Sequence, residues 1–232
     1  PQFDFHFSNK HRWSKIRLYD EVGLDLNRPY ILYTTGMSSD FPSENKIIES
    51  VIDFIKKIPR KERPQLVIRT YIKGTSQETI DLAHKMKDDE DIIFPSILWH
   101  KKYLMPLEYD CYVYTNLLRY CSLGINTAST VTLELMIYSK PTINISFEPP
   151  ETNLPKWNRF SRHVDYEHYV PVAKSEAVII AKSLSELLEG IEHALLNSNK
   201  WNIKQKSFLK SMFGSNIDGK SAKRIADNLT LG

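Results

Sequence analysis

The chain has 232 residues, of which 41% are hydrophobic and 25% charged, and its formal net charge is +3 at pH 7. This length and apolar content are enough to bury a sizeable core. No run of about eighteen apolar residues occurs, so the sequence predicts no transmembrane segment.

Two basic clusters, at residues 10–17 and 56–63, account for much of the positive charge. Their irregular spacing favours solvated faces over a groove for a polyanion, so we expect no nucleic-acid partner. Cys111 and Cys121 are ten residues apart, with no second pair and no His cluster nearby. Neither a zinc site nor a disulfide framework is therefore expected, and we predict that no metal is bound.

The beginning of the chain lacks the charged start and apolar centre of a signal peptide. We expect a cytoplasmic protein, with a peripheral position at the inner face of the membrane as the alternative. Because the sequence starts at Pro1 and not at Met, we also expect a piece of a longer protein.

The first half of the chain alternates predicted strands and helices. Residues 30–35 form an apolar strand that ends at Gly36, and residues 66–69 form the next strand. Thr75 and Glu78 predict a capping box for a helix, which precedes a short strand at residues 92–94. The helix between the first two strands shows apolar residues at helical spacing: Ile47, Ile48, Val51, Ile55 and Ile58.

The second half continues this alternation after residues 98–108, which have no clear period and are predicted to form a long loop. Residues 148–169 are polar and rich in aromatic residues and Pro, which predicts an irregular, exposed segment. Ser183 and Glu186 form a second capping box. The remaining predicted elements are helices at 111–120, after Ser129, 184–196, 201–212 and 219–229, and strands at 123–126, 142–147 and within 170–180.

Strands alternating with helices predict an α/β fold, a Rossmann-like parallel sheet with helices on both faces and extra C-terminal helices. We assign residues 1–28 to a linker or a remnant of an upstream domain. Residues 29–232 form the predicted Rossmann-like domain.

The turn from residue 124 to residue 134 is the most informative segment. Ser129 and Thr130 stand at the start of a predicted helix, where hydroxyls and unpaired backbone N–H groups can hold a phosphate. Glu134 follows Thr130 by four residues and therefore lies on the same helix face, where it can accept hydrogen bonds from a ribose diol. The alternative is that Ser129 or Thr130 only caps the helix and Glu134 is a solvated charge.

The order of these motifs resembles the C-terminal half of a GT-B glycosyltransferase. The similarity includes bacterial surface-polysaccharide transferases, CDP-glycerol glycerophosphotransferases and UDP-N-acetylglucosamine 2-epimerases. It covers most of residues 20–232, and only the segment from Ser129 to Glu134 is specific enough to transfer residue roles. The matching segments are residues 28–36, 66–69, 114–121, 126–134, 140–143 and 218–227.

The resemblance implies a nucleotide-sugar site at the carboxyl ends of the strands. Ser129 and Thr130 would contact the diphosphate, and Glu134 would contact the ribose. Gly36 would let the first loop approach the donor closely. Arg69 would neutralise phosphate charge, with a surface ion pair as an equally weighted alternative, and Lys73 would support it, although a solvated role is favoured for Lys73.

Three further side chains are weaker candidates. Trp99 could stack on the base, but a core position is favoured for it. His100 could transfer a proton, but its neighbours Lys101 and Lys102 favour a solvated position. The catalytic residue is unknown, and His168 is the one candidate for it.

Two departures from the family pattern limit what the resemblance implies. The residues before Tyr30 are too few to form the N-terminal domain that binds the acceptor and usually supplies the catalytic base. The pair of glutamates seven residues apart is also incomplete, because position 126 is Asn. The chemistry of a retaining enzyme is therefore in doubt, whereas donor binding is not.

We therefore expect the donor-binding domain of an enzyme, a GT-B glycosyltransferase of surface polysaccharide biosynthesis, incomplete in this chain. Its partners would be a nucleotide-diphosphate sugar and a glycan or lipid-linked acceptor, with no cofactor. A sugar-nucleotide epimerase or a CDP-glycerol glycerophosphotransferase is the alternative on the same fold. A non-catalytic α/β module that binds a protein through residues 157–169 is the alternative from another class.

Overall fold

A computed structural model describes residues 2–71, 73–100, 102–103 and 105–230. Within these ranges the main sheet has six parallel strands: β1 (Tyr30–Thr34), β2 (Gln65–Arg69), β3 (Ile92–Ile93), β6 (Leu123–Asn126), β7 (Thr142–Ile145) and β8 (Ile179–Ala181). Their order across the sheet is β3-β2-β1-β6-β7-β8. The α/β prediction is confirmed.

Helices cover both faces of this sheet. One face packs against α2 (Asn45–Lys57) and α7 (Leu184–Leu196), whose buried residues include Ile47, Ile48 and Ile191. The other face packs against α1 (Lys15–Val22) and α4 (Glu108–Tyr120). The further helices are α3 (Gln77–Lys85), α5 (Val131–Ile137), α6 (Val170–Ala173), α8 (Asn202–Phe213) and α9 (Ser221–Thr230).

The strand order reverses between β1 and β6. From β1 the chain builds outward to β2 and β3, and then returns to place β6 on the other side of β1. Such a reversal opens a crevice at the carboxyl edge of a parallel sheet, where ligands of open α/β folds bind. The register brings Thr34, Arg69 and Asn126 side by side at this edge.

Several local predictions were wrong. Residues 98–108 are not only a loop, because β4 (Trp99–His100) and β5 (Met105–Pro106) form a short antiparallel pair. Strands of two residues are too short to show a period in the sequence. Ser76, not Thr75, caps α3, because its hydroxyl accepts a hydrogen bond from the backbone N–H of Thr79.

The segment predicted to be irregular and exposed is partly buried. It contains two short 3-10 helices, Lys156–Asn158 and Phe160–Asp165. Phe160 is fully buried and Tyr169 nearly so. Aromatic side chains in this polar stretch therefore anchor it to the core. The prediction missed this because it was based on the overall polarity of the stretch.

Residues 2–28 pack on the domain. Leu18 and Tyr19 of α1 are buried against the face that α4 covers. His6 is also buried, within a 3-10 helix, Asp4–Phe7. The assignment of these residues to a linker or a remnant of an upstream domain stays a prediction.

Candidate functional site

A pocket of about 420 Å³ opens at the carboxyl edge of the sheet, beside the reversal of strand order. Residues from β1, β2, the β4–β5 hairpin, α4, α5 and the N-terminal residues line it. The lining side chains that carry the chemistry are Arg69, Trp99, Asp110, Tyr114, Thr130 and Glu134. Three of the six residues predicted to bind the donor, Arg69, Thr130 and Glu134, therefore share one pocket.

Arg69 is the last residue of β2, and only 8% of its surface is exposed. Its Nη2 donates to Asp110 Oδ2 at 2.5 Å, and the backbone N–H of Leu98 donates to Asp110 Oδ1 at 3.1 Å. Its Nη1 is buried and has no hydrogen-bond partner in the described structure. Asp110 therefore holds the guanidinium, while Nη1 remains a donor without an acceptor, which is rare for a buried group.

Glu134 is buried in the pocket wall and is not the solvated charge of the alternative interpretation. Its Oε2 accepts a hydrogen bond from the Tyr114 hydroxyl. Its Oε1 lies 3.4 Å from Nε2 of His6, within range of an ion pair but without the geometry of a hydrogen bond. Burial, together with the nearby Glu134 carboxylate, raises the pKa of Tyr114 well above its ordinary value, so the phenol keeps its proton at neutral pH.

The tyrosine ring connects the two charged groups of the pocket. The guanidinium of Arg69 lies 5.2 Å from the centroid of the Tyr114 ring, and the hydroxyl of the same ring contacts Glu134. Arg69, over the ring face, and Glu134, at the hydroxyl, therefore both contact one aromatic side chain. The cation can face a ligand's anionic group while the carboxylate faces its hydroxyls.

The turn before α5 differs from its prediction in detail. Ala128 adopts a left-handed conformation with φ of 52°, and the backbone N–H of Ser129 donates to Asn126 Oδ1 at 3.2 Å. Thr130 stands at the N-cap without a side-chain capping bond, is exposed and lines the pocket. Ser129 does not line the pocket, and its amide is already paired, so phosphate binding by Ser129 stays a prediction.

A polar network that the sequence analysis missed lies beneath this turn. Asn126 Oδ1 accepts from Thr132 Oγ1 at 3.1 Å and from Asn144 Nδ2 at 3.0 Å. The Tyr169 hydroxyl donates to Asn144 Oδ1 at 2.9 Å and lies 2.8 Å from Thr132 Oγ1. The clue in the sequence was an Asn near the carboxyl end of each of two consecutive strands, and the network fixes the turn.

Gly36 and Lys73 lie outside the pocket. A Cβ added at Gly36 would stand 2.0 Å from a ring carbon of Phe41, so packing by itself requires glycine there. The exposed Lys73 lines a separate open groove of about 660 Å³ beside α3. Another groove, of about 480 Å³, lies at the opposite edge near Pro29 and Lys140, and no described residue that lines either groove has a buried charged side chain.

The structure also places the weaker candidates. Trp99 is half-buried and lines the pocket, and its Nε1 is buried without a partner in the described part of the chain. His100 is exposed and stacks on Tyr103. His168 is exposed and stacks on Tyr166, and it is not among the residues that line the pocket.

Glu44 is a buried acid near the pocket that the sequence analysis did not single out. It belongs to the loop that follows β1, and its Oε2 accepts from the backbone N–H of Gly36 at 3.0 Å. Its Oε1 lies 3.0 Å from the Tyr33 hydroxyl. Burial outweighs these two hydrogen bonds and raises the pKa of Glu44 to about 8, so the side chain is largely protonated at neutral pH.

Two absences hold for the described residues. No group of three or more His, Cys, Asp or Glu side chains among them is placed to hold a metal ion. In the same ranges, no helix combines the length and apolar character needed to cross a membrane.

No protein-family model matches the sequence, and no curated protein matches it significantly. Solved structures do match its fold. A Methanocaldococcus jannaschii UDP-GlcNAc 2-epimerase, in complex with UDP-GlcNAc and UDP, gives a TM-score of 0.57 at 15% identity, over 99% of this chain and 52% of that chain. A UDP-GlcNAc 2-epimerase from Neisseria meningitidis, bound to UDP-GlcNAc, gives 0.56 at 15% identity, over 94% and 49%.

The wall teichoic acid polymerase TagF gives a TM-score of 0.59 at 12% identity, over 93% of this chain and 46% of that chain. These proteins are enzymes of the GT-B fold, and this chain spans about half the length of each. The predicted resemblance to a GT-B half is therefore confirmed at the level of fold. Identities this low show the fold alone.

Proposed function

We propose that this domain binds a nucleotide-sugar donor in the pocket at the carboxyl ends of β1, β2 and β6, as the donor half of a GT-B glycosyltransferase. The observation that carries the proposal is the buried Arg69, whose Nη1 has no acceptor among the described residues, in an aromatic pocket at the reversal of strand order. A phosphate oxygen supplies the acceptor that this guanidinium lacks.

The cation and the carboxylate of the pocket suit the two polar parts of such a ligand. The diphosphate would lie against Arg69 and Thr130, and the ribose diol would donate to Glu134. Trp99 and Tyr71 supply flat apolar walls for the base or the sugar. Ser129 and Lys73 would reach the ligand's outer phosphate from outside the pocket.

The proposed chemical role of the domain is to stabilise the leaving nucleotide. Charge develops on the diphosphate as the bond to the sugar breaks, and a positioned cation lowers the energy of that state. Arg69 can supply this charge, so we propose that no divalent metal is required. Because Asp110 and Glu134 place two carboxylates beside this one cation, we expect the isolated domain to bind donors weakly.

Catalysis would need groups beyond this chain's pocket. The chain spans about half of the matched structures, so we propose that a second domain binds a glycan or lipid-linked acceptor and supplies the catalytic base. His168 stays a candidate for a catalytic role only in that complete cleft, because its side chain is exposed here.

The second candidate is an epimerase or a CDP-glycerol polymerase built on the same pocket. The observation in its favour is that the matched structures carry those two descriptions. The base distinguishes the candidates, because a cytidine nucleotide would favour the polymerase and a uridine nucleotide the epimerase or a glycosyltransferase. The way in which the longer protein breaks down a bound donor would then distinguish an epimerase from a glycosyltransferase.

Calorimetric titration with UDP-, CDP- and GDP-sugars and with CDP-glycerol tests the proposal. We expect Arg69→Met to weaken binding by about ten- to a hundred-fold, because a charge-assisted hydrogen bond is lost. Glu134→Gln should weaken binding by about ten-fold. Arg60→Met and Glu90→Gln are matched controls, since this exposed ion pair lies away from the pocket.

Arg69→Met leaves Asp110 buried without its cation, so its fold is checked by circular dichroism. If the single variant does not fold, the double variant Arg69→Met, Asp110→Asn replaces it, because it removes the stranded charge. Unchanged affinity in both Arg69→Met and Glu134→Gln would overturn the assignment. Absence of nucleotide binding together with a stable protein complex would favour the interaction module instead.

A further inference from the structure

The N-terminal strap, defined here as residues 2–7, reaches the wall of the pocket. Gln2 and Phe5 line the pocket, and the His6 side chain is fully buried behind Glu134. His6 Nδ1 lies 3.0 Å from the Tyr138 hydroxyl, while Nε2 faces Glu134 Oε1 at 3.4 Å. An imidazole from the start of the chain therefore contacts a carboxylate on α5.

The strap is fixed at a second point, on the last helix. Both carboxylate oxygens of Asp4 accept backbone N–H groups at the start of α9, from Ser221 at 3.1 Å and from Ala222 at 2.7 Å. Phe3 packs edge-on against Phe213 at 5.6 Å between ring centroids. Because Asp4 and Phe3 flank His6 closely in sequence, these contacts hold the imidazole against α5.

The contacts of His6 leave one ring nitrogen to face Glu134. Arg119 Nη2 and the Tyr138 hydroxyl both donate to the His6 carbonyl, at 3.3 Å and 3.2 Å, and the Tyr138 oxygen also lies 3.0 Å from Nδ1. Nε2 has no hydrogen-bond partner among the described residues, and the nearest carboxylate oxygen is Glu134 Oε1 at 3.4 Å. A proton on Nε2 makes this contact attractive, because the carboxylate oxygen is an acceptor.

Glu134 is thus held from two sides. The Tyr114 hydroxyl binds one carboxylate oxygen, and His6 faces the other. A carboxylate has about four acceptor positions, so about two remain for a ligand. A glutamate with its orientation set by two neighbours loses less side-chain entropy when it accepts a pair of ligand hydroxyls.

We propose that His6 and Tyr114 are positioning residues for Glu134, so that the strap makes the pocket selective for a nucleotide with an intact ribose diol. This inference rests on the proposed function, because it assumes that a nucleotide occupies the pocket. It adds a contribution of the strap to specificity, through a residue 128 positions away from the carboxylate that it orients.

The test compares the affinities of UDP and 2′-deoxy-UDP, or of the corresponding pair for whichever base binds best, by calorimetry. We expect the unmodified chain to prefer the ribonucleotide by about ten-fold or more, since a missing hydroxyl leaves a buried acceptor unpaired. His6→Ala, Tyr114→Phe and Glu134→Gln should each move this ratio toward one, mainly by weakening ribonucleotide binding.

Two further variants distinguish the loss of Glu134 positioning from a general loss of structure. His6→Gln keeps an N–H donor at the end of a planar group and should retain most of the preference. His11→Ala is the matched control, because His11 lies in the same N-terminal region and contacts Tyr112 and Phe5, not Glu134. Circular dichroism and thermal denaturation monitor the fold of each variant.

A wild-type preference in His6→Ala would overturn the inference and leave donor binding intact. Tighter ribonucleotide binding in His6→Ala would also overturn it, because the strap would then compete with the ligand for Glu134. If His6→Ala does not fold, Tyr114→Phe is measured in its place. An unchanged ratio of ribonucleotide to deoxyribonucleotide affinity in Tyr114→Phe would also overturn the inference. If the unmodified chain binds no nucleotide, the proposed function fails and this inference fails with it.

Discussion

The two edges of the sheet use charged side chains in opposite ways. At the amino edge Asp91 accepts from Arg28 at 2.6 Å, from Arg63 at 2.8 Å and from Lys56 at 3.0 Å. At the carboxyl edge Asp110 holds one cation, Arg69, whose Nη1 has no partner among the described residues. Three cations surround the carboxylate at the amino edge, whereas the one cation at the carboxyl edge has a buried donor with no acceptor among the described residues.

The two edges also shift carboxyl pKa values in opposite directions. Burial opposes ionisation of Asp91, but hydrogen bonds from Arg63, Lys56 and Arg28 outweigh it and hold its pKa well below the ordinary value. Glu44, at the carboxyl edge, has no cation bonded to it among the described contacts, so burial dominates and its pKa rises. The two carboxyl groups therefore differ in their partners: cations surround Asp91, whereas Glu44 has only neutral hydrogen-bond donors among the described contacts.

The largest effect is expected at the amino edge. Asp91→Asn should lower the free energy of unfolding at pH 7 by about 3 kcal/mol, because three cations lose their common carboxylate. Urea denaturation measures this loss. Since the pKa of Asp91 is depressed, its contribution is complete above the ordinary value of 3.8 and is lost as the pH falls below it, so the two proteins should converge in acid.

Glu90→Gln is the control for this variant, because Glu90 pairs with Arg60 at the same edge while both side chains are exposed. We expect no measurable loss from it. An equal loss in both variants would contradict the view that Asp91 is the centre of a buried cluster.

Glu44 should produce the opposite pH dependence at the carboxyl edge. Its raised pKa means that its contribution to stability is present below 4.5 and is lost as the pH rises through about 8. Between pH 6 and 8 the unmodified protein should lose about 2 kcal/mol more than Glu44→Gln does. Urea denaturation at each pH measures the difference, with the exposed Glu49→Gln of α2 as control. Parallel pH profiles for wild type and Glu44→Gln would refute the raised pKa of Glu44.

Gly36→Ala tests whether the first loop of the carboxyl edge is shaped by packing. The new methyl group would overlap the Phe41 ring and should lower the free energy of unfolding by about 2 kcal/mol. Gly74→Ala is the control, because its methyl group would meet the flexible Met37 side chain and should cost less. A stable Gly36→Ala that binds nucleotide less tightly would instead support the predicted approach of this loop to the donor.

The smallest effect is expected in the network beneath the α5 turn. Tyr169→Phe removes a hydroxyl shared by Thr132 and Asn144 and should lower the free energy of unfolding by about 1 kcal/mol. The partly exposed Tyr166→Phe should cause no comparable loss in the same denaturation experiment. If Tyr169→Phe leaves the free energy of unfolding unchanged, the hydroxyl does not stabilise the fold. The network would then resemble the incompletely satisfied groups of the pocket.

Part of the lining of the candidate pocket was predicted from the sequence. Arg69, Thr130 and Glu134 were predicted because they follow strands or begin a helix, and position relative to an element can be read locally. Asp110, Tyr114 and His6 were not predicted. Their roles depend on contacts between distant segments, such as Asp110 with Arg69 and His6 with Glu134. Gly36 was predicted for its missing side chain, but its contact with Phe41 could not be read from the sequence.

The sequence by itself determined the α/β class, the parallel unit from β6 through α5 to β7, and the main helices, because helical and strand periodicities are local properties of the chain. Only the tertiary structure decided that Arg69 has a donor without a partner in the described part of the chain, that Glu134 is buried, and that the N-terminal strap reaches Glu134. Burial and pairing arise when segments far apart in the chain pack together, and local patterns do not record that packing.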